Sequence, residues 1–299
     1  MRMVGQRKWN RRTAAFVFLL PAVLGLIAFQ LLPMISSIFI SFSDWDLLSK
    51  WTQIHFIGWT NYVEVFSNEK SYTSIKNVFI FLIGYMPVIT LLGIMFAVLL
   101  NRNIRAIKLY RAAIFVPVIT SWVAVSIVWR WLLNGQSGLI NYALSKIGIE
   151  GPIWLQDDHW AMVAIIAVTI WKDIGFVSII LLAGLQDISE DYYEAANLDG
   201  ASAWSKLIKI TIPLLSPTLF FIITISLINS FQVFDQVLIM TNGGPAGATS
   251  TIVEQVYRNA FQFNKMGFAA AQSWVLFVII FSVTMVMQWL QRRWVVYER

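Results

Sequence analysis

The chain has no cysteine and only two histidines in 299 residues. Disulfides and thiolate metal sites are excluded outright. His55 and His159 stand in polar connecting stretches, a setting for solvated loop residues rather than an imidazole metal centre. Charge is scarce too: 13% of residues are charged, against about 25% in an average soluble domain. So few charges cannot cover a soluble surface of this size, and the 58% of hydrophobic residues, with a mean hydropathy of +0.67, must face lipid. No lysine follows a glycine, so the loop that cradles nucleotide phosphates is missing. The net charge of +6 does not read as a nucleic-acid face, because the basic residues form short clusters between apolar runs.

What the chain does have is length of apolar sequence. A helix crossing a bilayer needs about 20 mainly apolar residues, and the runs 14–42, 75–100, 110–133, 160–185, 218–240 and 268–290 qualify. The expected fold is an all-α integral membrane protein of about six transmembrane helices. Residues 1–13 read as an N-terminal tail, 14–290 as the transmembrane domain and 291–299 as a C-terminal tail. The first run follows Arg7, Lys8, Arg11 and Arg12, but it is too long for a signal peptide and no small-residue cleavage site follows it. Arg102, Arg105, Lys108 and Arg111 mark the second connection, and Arg292, Arg293 and Arg299 the C-terminus. Residues 43–74 and 134–159 carry Asp44, Asp46, Glu64, Glu69, Glu150, Asp157 and Asp158 against few cations. This asymmetry predicts both termini in the cytoplasm of a multi-pass protein. Trp45, Trp51, Trp59, Tyr62, Trp129, Trp131, Trp154, Trp160, Trp289 and Trp294 fall near span ends, as aromatic belts do.

The connection between the fourth and fifth spans breaks the charge rule. Asp187, Glu190, Asp191, Glu194 and Asp199 outnumber Lys206 and Lys209 in residues 187–217. Ser189 can cap a short helix over 190–198, Gly200 interrupts it, and a second helix runs over 203–212 before Pro213 and Pro217. The product is a cytoplasmic helix–turn–helix elbow, small and acidic at its tip. Ala195, Ala196 and Gly200 permit close approach to a soluble partner, and Glu194 can pair with a cation on it.

The run Glu194-Ala195-Ala196, then Gly200, then Ile210, Ile212 and Pro213 resembles the signature loop of bacterial ABC importer permeases. That family's pattern is E-A-A, three residues, G, nine residues, I, one residue, L-P; Ile212 replaces the usual leucine. Tyr110 to Pro117, Gly138 to Asn141, Ala183 to Gln186 and Thr241 to Pro245 are similar to carbohydrate-type members, in particular the larger permease of maltose and glycerol-3-phosphate importers. The resemblance implies a non-catalytic subunit whose elbow docks on a separate ATPase. The coupling set it implies is Glu190, Glu194, Ala195, Ala196, Asp199, Gly200, Ile210, Ile212 and Pro213. It also implies the partners: a second homologous permease, two ATPase subunits that use ATP and magnesium, and an extracytoplasmic solute-binding protein. No cofactor is expected on this chain. The location implied is the bacterial cytoplasmic membrane, and the substrate a sugar or oligosaccharide, with glycerol-3-phosphate or a polyol as the alternative. Residues 251–261 read as an amphipathic helix beyond Gly243-Gly244-Pro245, touching the binding protein or covering the bundle.

Polar side chains at membrane depth usually face a bundle interior or a water-filled path. In the fifth span, Asn229, Gln232 and Gln236 share one face of a continuous helix, with Ser226 and Ser230 flanking them. Amides both donate and accept, which suits sugar hydroxyls; the same residues also serve as glue between helices. Lys172 and Asp173, in the fourth span, read as a structural pair reaching other helices, and Trp274 in the last span as a further path residue. An ion-coupled secondary transporter is the rival class, but internal repeats are not evident and Asp173 alone among acidic residues lies near a span centre.

Overall fold

The structure, a computed structural model, describes residues 11–46, 48–50, 54–102 and 104–295. Arg7, Lys8, Trp51 and Arg299 lie outside the described residues. The described chain is helical, apart from one isolated antiparallel bridge between Ser43 and Phe56. Helix α1 runs as Arg11–Leu26, a π turn Ile27–Leu31 and Leu32–Ser41. The widened turn sits just ahead of Pro33, whose missing N–H would interrupt the hydrogen-bond ladder there. Next come α2 (Thr60–Ser67), α3 (Glu69–Leu100), α4 (Ile107–Ile119) and α5 (Trp122–Leu132). Then follow α6 (Leu139–Lys146) and α7 (Trp160–Gln186). The elbow is α8 (Glu190–Leu198) and α9 (Ala203–Leu214). After it come α10 (Ser216–Phe231), α11 (Asp235–Met240), α12 (Ile252–Tyr257, continued by a π turn Arg258–Gln262) and α13 (Met266–Trp294).

Four helices, α1, α3, α7 and α13, are each long and apolar enough to cross a membrane. The third and fifth expected spans are not straight. Between α4 and α5 the chain turns through 97°, and a second bend, of 68° between α9 and α10, falls just ahead of the fifth span. Thr120 and Ser121 take extended conformations at the first bend, just after Pro117, which supplies no N–H to its own helix. The fifth span, expected as one helix over 218–240, stops at Phe231 and resumes at Asp235.

The core lies where α3, α7 and α10 meet. Phe81, Ile89, Ile165, Leu181, Leu215 and Ile222 are fully enclosed there. Helix α7 is the most enclosed of the spans, whereas the apolar stretch of α1 has no buried residue. Gly175 on α7 faces the backbone carbonyl of Ile114, so closely that any side chain would displace α4. The elbow and the ends of α3, α7 and α13 sit at one end of the bundle. There Leu100, Leu185, Ile188, Tyr193 and Ile212 pack together, and the rings of Phe220 and Trp294 meet at 6.2 Å. The described parts of segment 42–59 (42–46, 48–50 and 54–59) and segments 133–159 and 241–265 occupy the opposite end.

At that opposite end Asn61 donates to the carbonyls of Ser41 and Ser43, and Asn77 to those of Gly247 and Ser250. Gln272 bridges Ser71 and Asn259 across three helices. Buried polar groups need partners, and these pin the loops to the bundle. The Ser49 hydroxyl and, after it, the Ser49 N–H donate to the carboxylate of Asp46 and hold its pKa below the ordinary value.

Candidate functional site

Two places combine polar chemistry with access. The first is a cavity of about 260 Å³ at the middle of the bundle. Helix α3 contributes Phe81 and Tyr85, α5 Trp122, α7 Thr169 and Asp173, and α10 with α11 contribute Asn229, Ser230, Gln232, Asp235 and Gln236. Tyr85 and Asp173 stand near the midpoints of α3 and α7, and the Tyr85 hydroxyl donates to the Asp173 carboxylate at 3.0 Å. The cavity therefore offers hydroxyls, amides, a carboxylate and aromatic faces at membrane depth, a lining suited to a polyhydroxylated solute.

Of the expected path residues, Asn229, Ser230, Gln232 and Gln236 line this cavity. The reading that placed three amides on one continuous helical face is corrected, because α10 ends at Phe231 and Gln232 lies in the break. The break leaves backbone groups without helical partners, and the Thr251 hydroxyl takes up the carbonyl of Val233 at 2.8 Å. Irregular backbone at membrane depth survives only with such substitutes. Gln236 is buried and reaches the Thr169 hydroxyl at 3.4 Å. Ser230 donates back to the Ser226 carbonyl of its own helix, and Ser226 is buried without lining the cavity. Trp274 is displaced from the expected path: its indole N–H donates to the Ser37 hydroxyl at 3.2 Å and ties α13 to α1. Tyr85 and Trp122 were missed, one phenol and one indole among many span aromatics with no local pattern to mark them.

Lys172 and Asp173 separate as adjacent helical residues must. Asp173 faces the cavity. Lys172 is buried and donates to the carbonyls of Pro117 and Val118 at 3.2 and 3.1 Å, with its ammonium 4.8 Å from the Trp122 ring. Those carbonyls belong to the last turn of α4, where the 97° bend ends the helical ladder; that of Pro117 also accepts from the N–H and hydroxyl of Thr120. A cation at a helix C-terminus is favoured by the dipole as well. The lysine thus holds the broken span in shape.

The second place is the elbow. Ser189 caps α8 by accepting from the N–H of Asp191, and Ser202 caps α9 by accepting from that of Ser205. Between them the N–H groups of Gly200 and Ala201 return to the carbonyls of Asn197 and Ala196, the two bonds of a Schellman closure. Gly200 sits at φ +71°, and a Cβ there would meet nothing within 4 Å. Its requirement is the left-handed backbone, not space within this chain. Lys206 donates to the Asn197 side chain at 2.6 Å, and the Tyr193 and Thr211 hydroxyls meet at 3.0 Å, so both arms are cross-braced. Glu190, Glu194, Ala195, Asp199 and Gly200 are exposed, while Ala196, Ile210, Ile212 and Pro213 are half-buried. Leu198 is 90% exposed and Trp204 69% exposed. Neither was singled out from the sequence, yet each is a large apolar group presented to solvent on a rigid frame.

At the opposite end, Glu254 of α12 is fully buried, ion-paired to Arg258 and bonded by the Ser250 hydroxyl at 2.7 Å. Arg258 also donates to the carbonyl of Asn242, which fixes the 242–247 loop. Ile252 and Ala260 are buried against the bundle with Val256 half-buried, as the amphipathic pattern predicts. His159 is exposed and contacts Asp157 and Asp158. The Asp157 carboxylate accepts from the N–H groups of His159 and Trp160, a cap at the start of α7.

An all-helical membrane subunit with a polar cavity at mid-depth and a rigid, exposed elbow at one end has the build of a transport component. A family model described as the binding-protein-dependent transport system inner membrane component matches residues 89–296, and the chain belongs to that family. It is 34% identical to the probable ABC transporter permease protein YesP of Bacillus subtilis (strain 168), over 95% of this chain and 92% of the relative. The trehalose/maltose transport system permease protein MalF of Thermococcus litoralis is 30% identical, with 95% of each chain covered. A chain of a crystallised bacterial alginate ABC transporter, in complex with an alginate pentasaccharide-bound periplasmic protein, matches at a TM-score of 0.84 and 25% identity. That match covers 96% of this chain and 98% of the other.

Proposed function

We propose that this chain is one permease half of an ATP-driven sugar importer, and that its elbow carries the energy of ATP hydrolysis into the membrane. The relatives support the solute class, since their names include trehalose, maltose and lactose transport. The observation that carries the coupling role is the elbow itself: a braced frame that holds Glu194, Leu198 and Trp204 out to solvent. Such a frame buries its apolar tips only against another protein, and a soluble ATPase subunit is the partner whose motion the bundle needs. The central cavity is then this chain's side of the sugar path, completed by a second permease. ATP and magnesium belong to the ATPase subunits.

In this reading the elbow end, with Arg102, Arg105, Lys108, Arg292 and Arg293, faces the cytoplasm. The opposite end, where the 242–247 loop and α12 enclose a cavity of about 390 Å³, faces an extracytoplasmic binding protein. The reading is tested by reconstituting the permease pair with and without its ATPase and binding protein in proteoliposomes. Uptake of maltotriose, arabinotriose or lactose is expected only with ATP and all components. Glu194→Lys should cut uptake at least tenfold while the protein stays in the membrane. Uptake driven by a proton or sodium gradient alone would sink the importer assignment.

A further inference from the structure

We propose that this chain's side of the path is a filter against negative charge, so that the sugar it carries is uncharged rather than a uronate. The inference rests on the sugar-importer reading above and sharpens it. Two carboxyl side chains, Asp173 and Asp235, line the central cavity, and among the described residues no lysine, arginine or histidine does. The nearest cation in sequence, Lys172, is turned out of the cavity and spent on the carbonyls of Pro117 and Val118. Leaving that post would take from the Val118 carbonyl the donor it has there. The Tyr85 hydroxyl donates to Asp173 and is thereby also engaged.

Recognition of a carboxylate deep in a protein calls for a charge-assisted donor, most often arginine or lysine. Here an entering uronate would meet carboxyl groups of its own kind, and like charges repel more strongly within a protein than in bulk water. A neutral sugar meets the amides of Asn229 and Gln232, which donate and accept without charge. Its apolar ring faces meet Trp122 and Phe234. The chain's resemblance in fold to a subunit of an alginate transporter therefore does not extend to the charge of the solute.

The test uses the purified complex of both permeases and both ATPases, with the binding protein omitted so that its own selectivity does not intervene. Binding of maltotriose, arabinotriose, lactose and alginate trisaccharide is read by equilibrium dialysis with labelled sugar. At least one neutral sugar is expected to bind ten times more tightly than alginate trisaccharide. Gln232→Lys, at an exposed position, should narrow that ratio at least fivefold, as should Asp173→Asn combined with Asp235→Asn. Alginate trisaccharide binding as tightly as the best neutral sugar would overturn the filter and leave the importer reading standing. So would a ratio that both variants leave unchanged. If no sugar, neutral or acidic, binds here or is taken up by the complete importer, it is the sugar reading that fails, and the filter with it.

Discussion

Lys172 shows how one residue can decide the shape of a span. A buried ammonium is costly unless fully engaged, and here two backbone carbonyls and an indole face engage it. Replacing it by methionine keeps the bulk but removes the donor to the Val118 carbonyl and one of the donors to that of Pro117, a loss of about 1–2 kcal/mol. Lys172→Met should therefore lower the thermal unfolding midpoint of the purified complex by several degrees, with Lys172→Arg intermediate. An unchanged midpoint for the methionine variant would show that the bend holds itself. The sequence already marked Lys172 as structural, but it gave Asp173 the same role, whereas Asp173 lines the cavity. The sequence could not name the lysine's acceptors, because Pro117 lies 55 residues away and its carbonyl becomes available only once the span is bent. The same limit hid Tyr85, which joins the site solely through its distance to Asp173.

At the scale of elements, the elbow was legible almost in full and the broken spans were not. Its signals are local: a capping serine, an acidic first turn and a glycine at the closure, all within a few residues of the bonds they make; the second cap, Ser202, emerged only in the structure. Spans are read instead from windows of hydropathy, and a window cannot register that α10 stops at Phe231 while its apolar character continues into α11. The expected face of Asn229, Gln232 and Gln236 depended on unbroken periodicity. The amides meet in one cavity through the break rather than along a helix. Gly200 gives this scale its prediction. Left-handed backbone costs a residue with a Cβ about 1–2 kcal/mol, and asparagine less, while β-branched residues fit worst. ATP-driven uptake should fall in the order Gly200→Asn, Gly200→Ala, Gly200→Val, with asparagine closest to the parent. Because a Cβ at this position meets nothing within the chain, equal and complete loss in all three variants would mean that a partner's surface presses on the glycine itself.

The whole molecule is organised by which end faces which solution, and everything proposed for the elbow depends on that. Basic residues crowd the elbow end at Arg102, Arg105, Lys108, Arg292 and Arg293, whereas Glu64, Glu69, Glu150, Asp157 and Asp158 lie at the other. The acidic, apolar-tipped elbow is the exception within a basic face, as expected if a protein partner rather than topology selected its composition. The absence of cysteine makes the orientation directly measurable, since any introduced thiol is the only one in the chain. Ser145→Cys, exposed at the end of α6, and Lys209→Cys, exposed on α9, probe opposite ends. In cells whose outer barrier is opened but whose cytoplasmic membrane is intact, a membrane-impermeant maleimide should label Ser145→Cys at once. Lys209→Cys should react only after that membrane is permeabilised, and more slowly when the ATPase subunits are present. The reverse pattern would put the elbow outside the cell, where no ATPase could reach it. The basic cluster would then stand on the wrong side for a protein sorted by its positive charges, and the coupling role would fall even if the cavity still carried sugar.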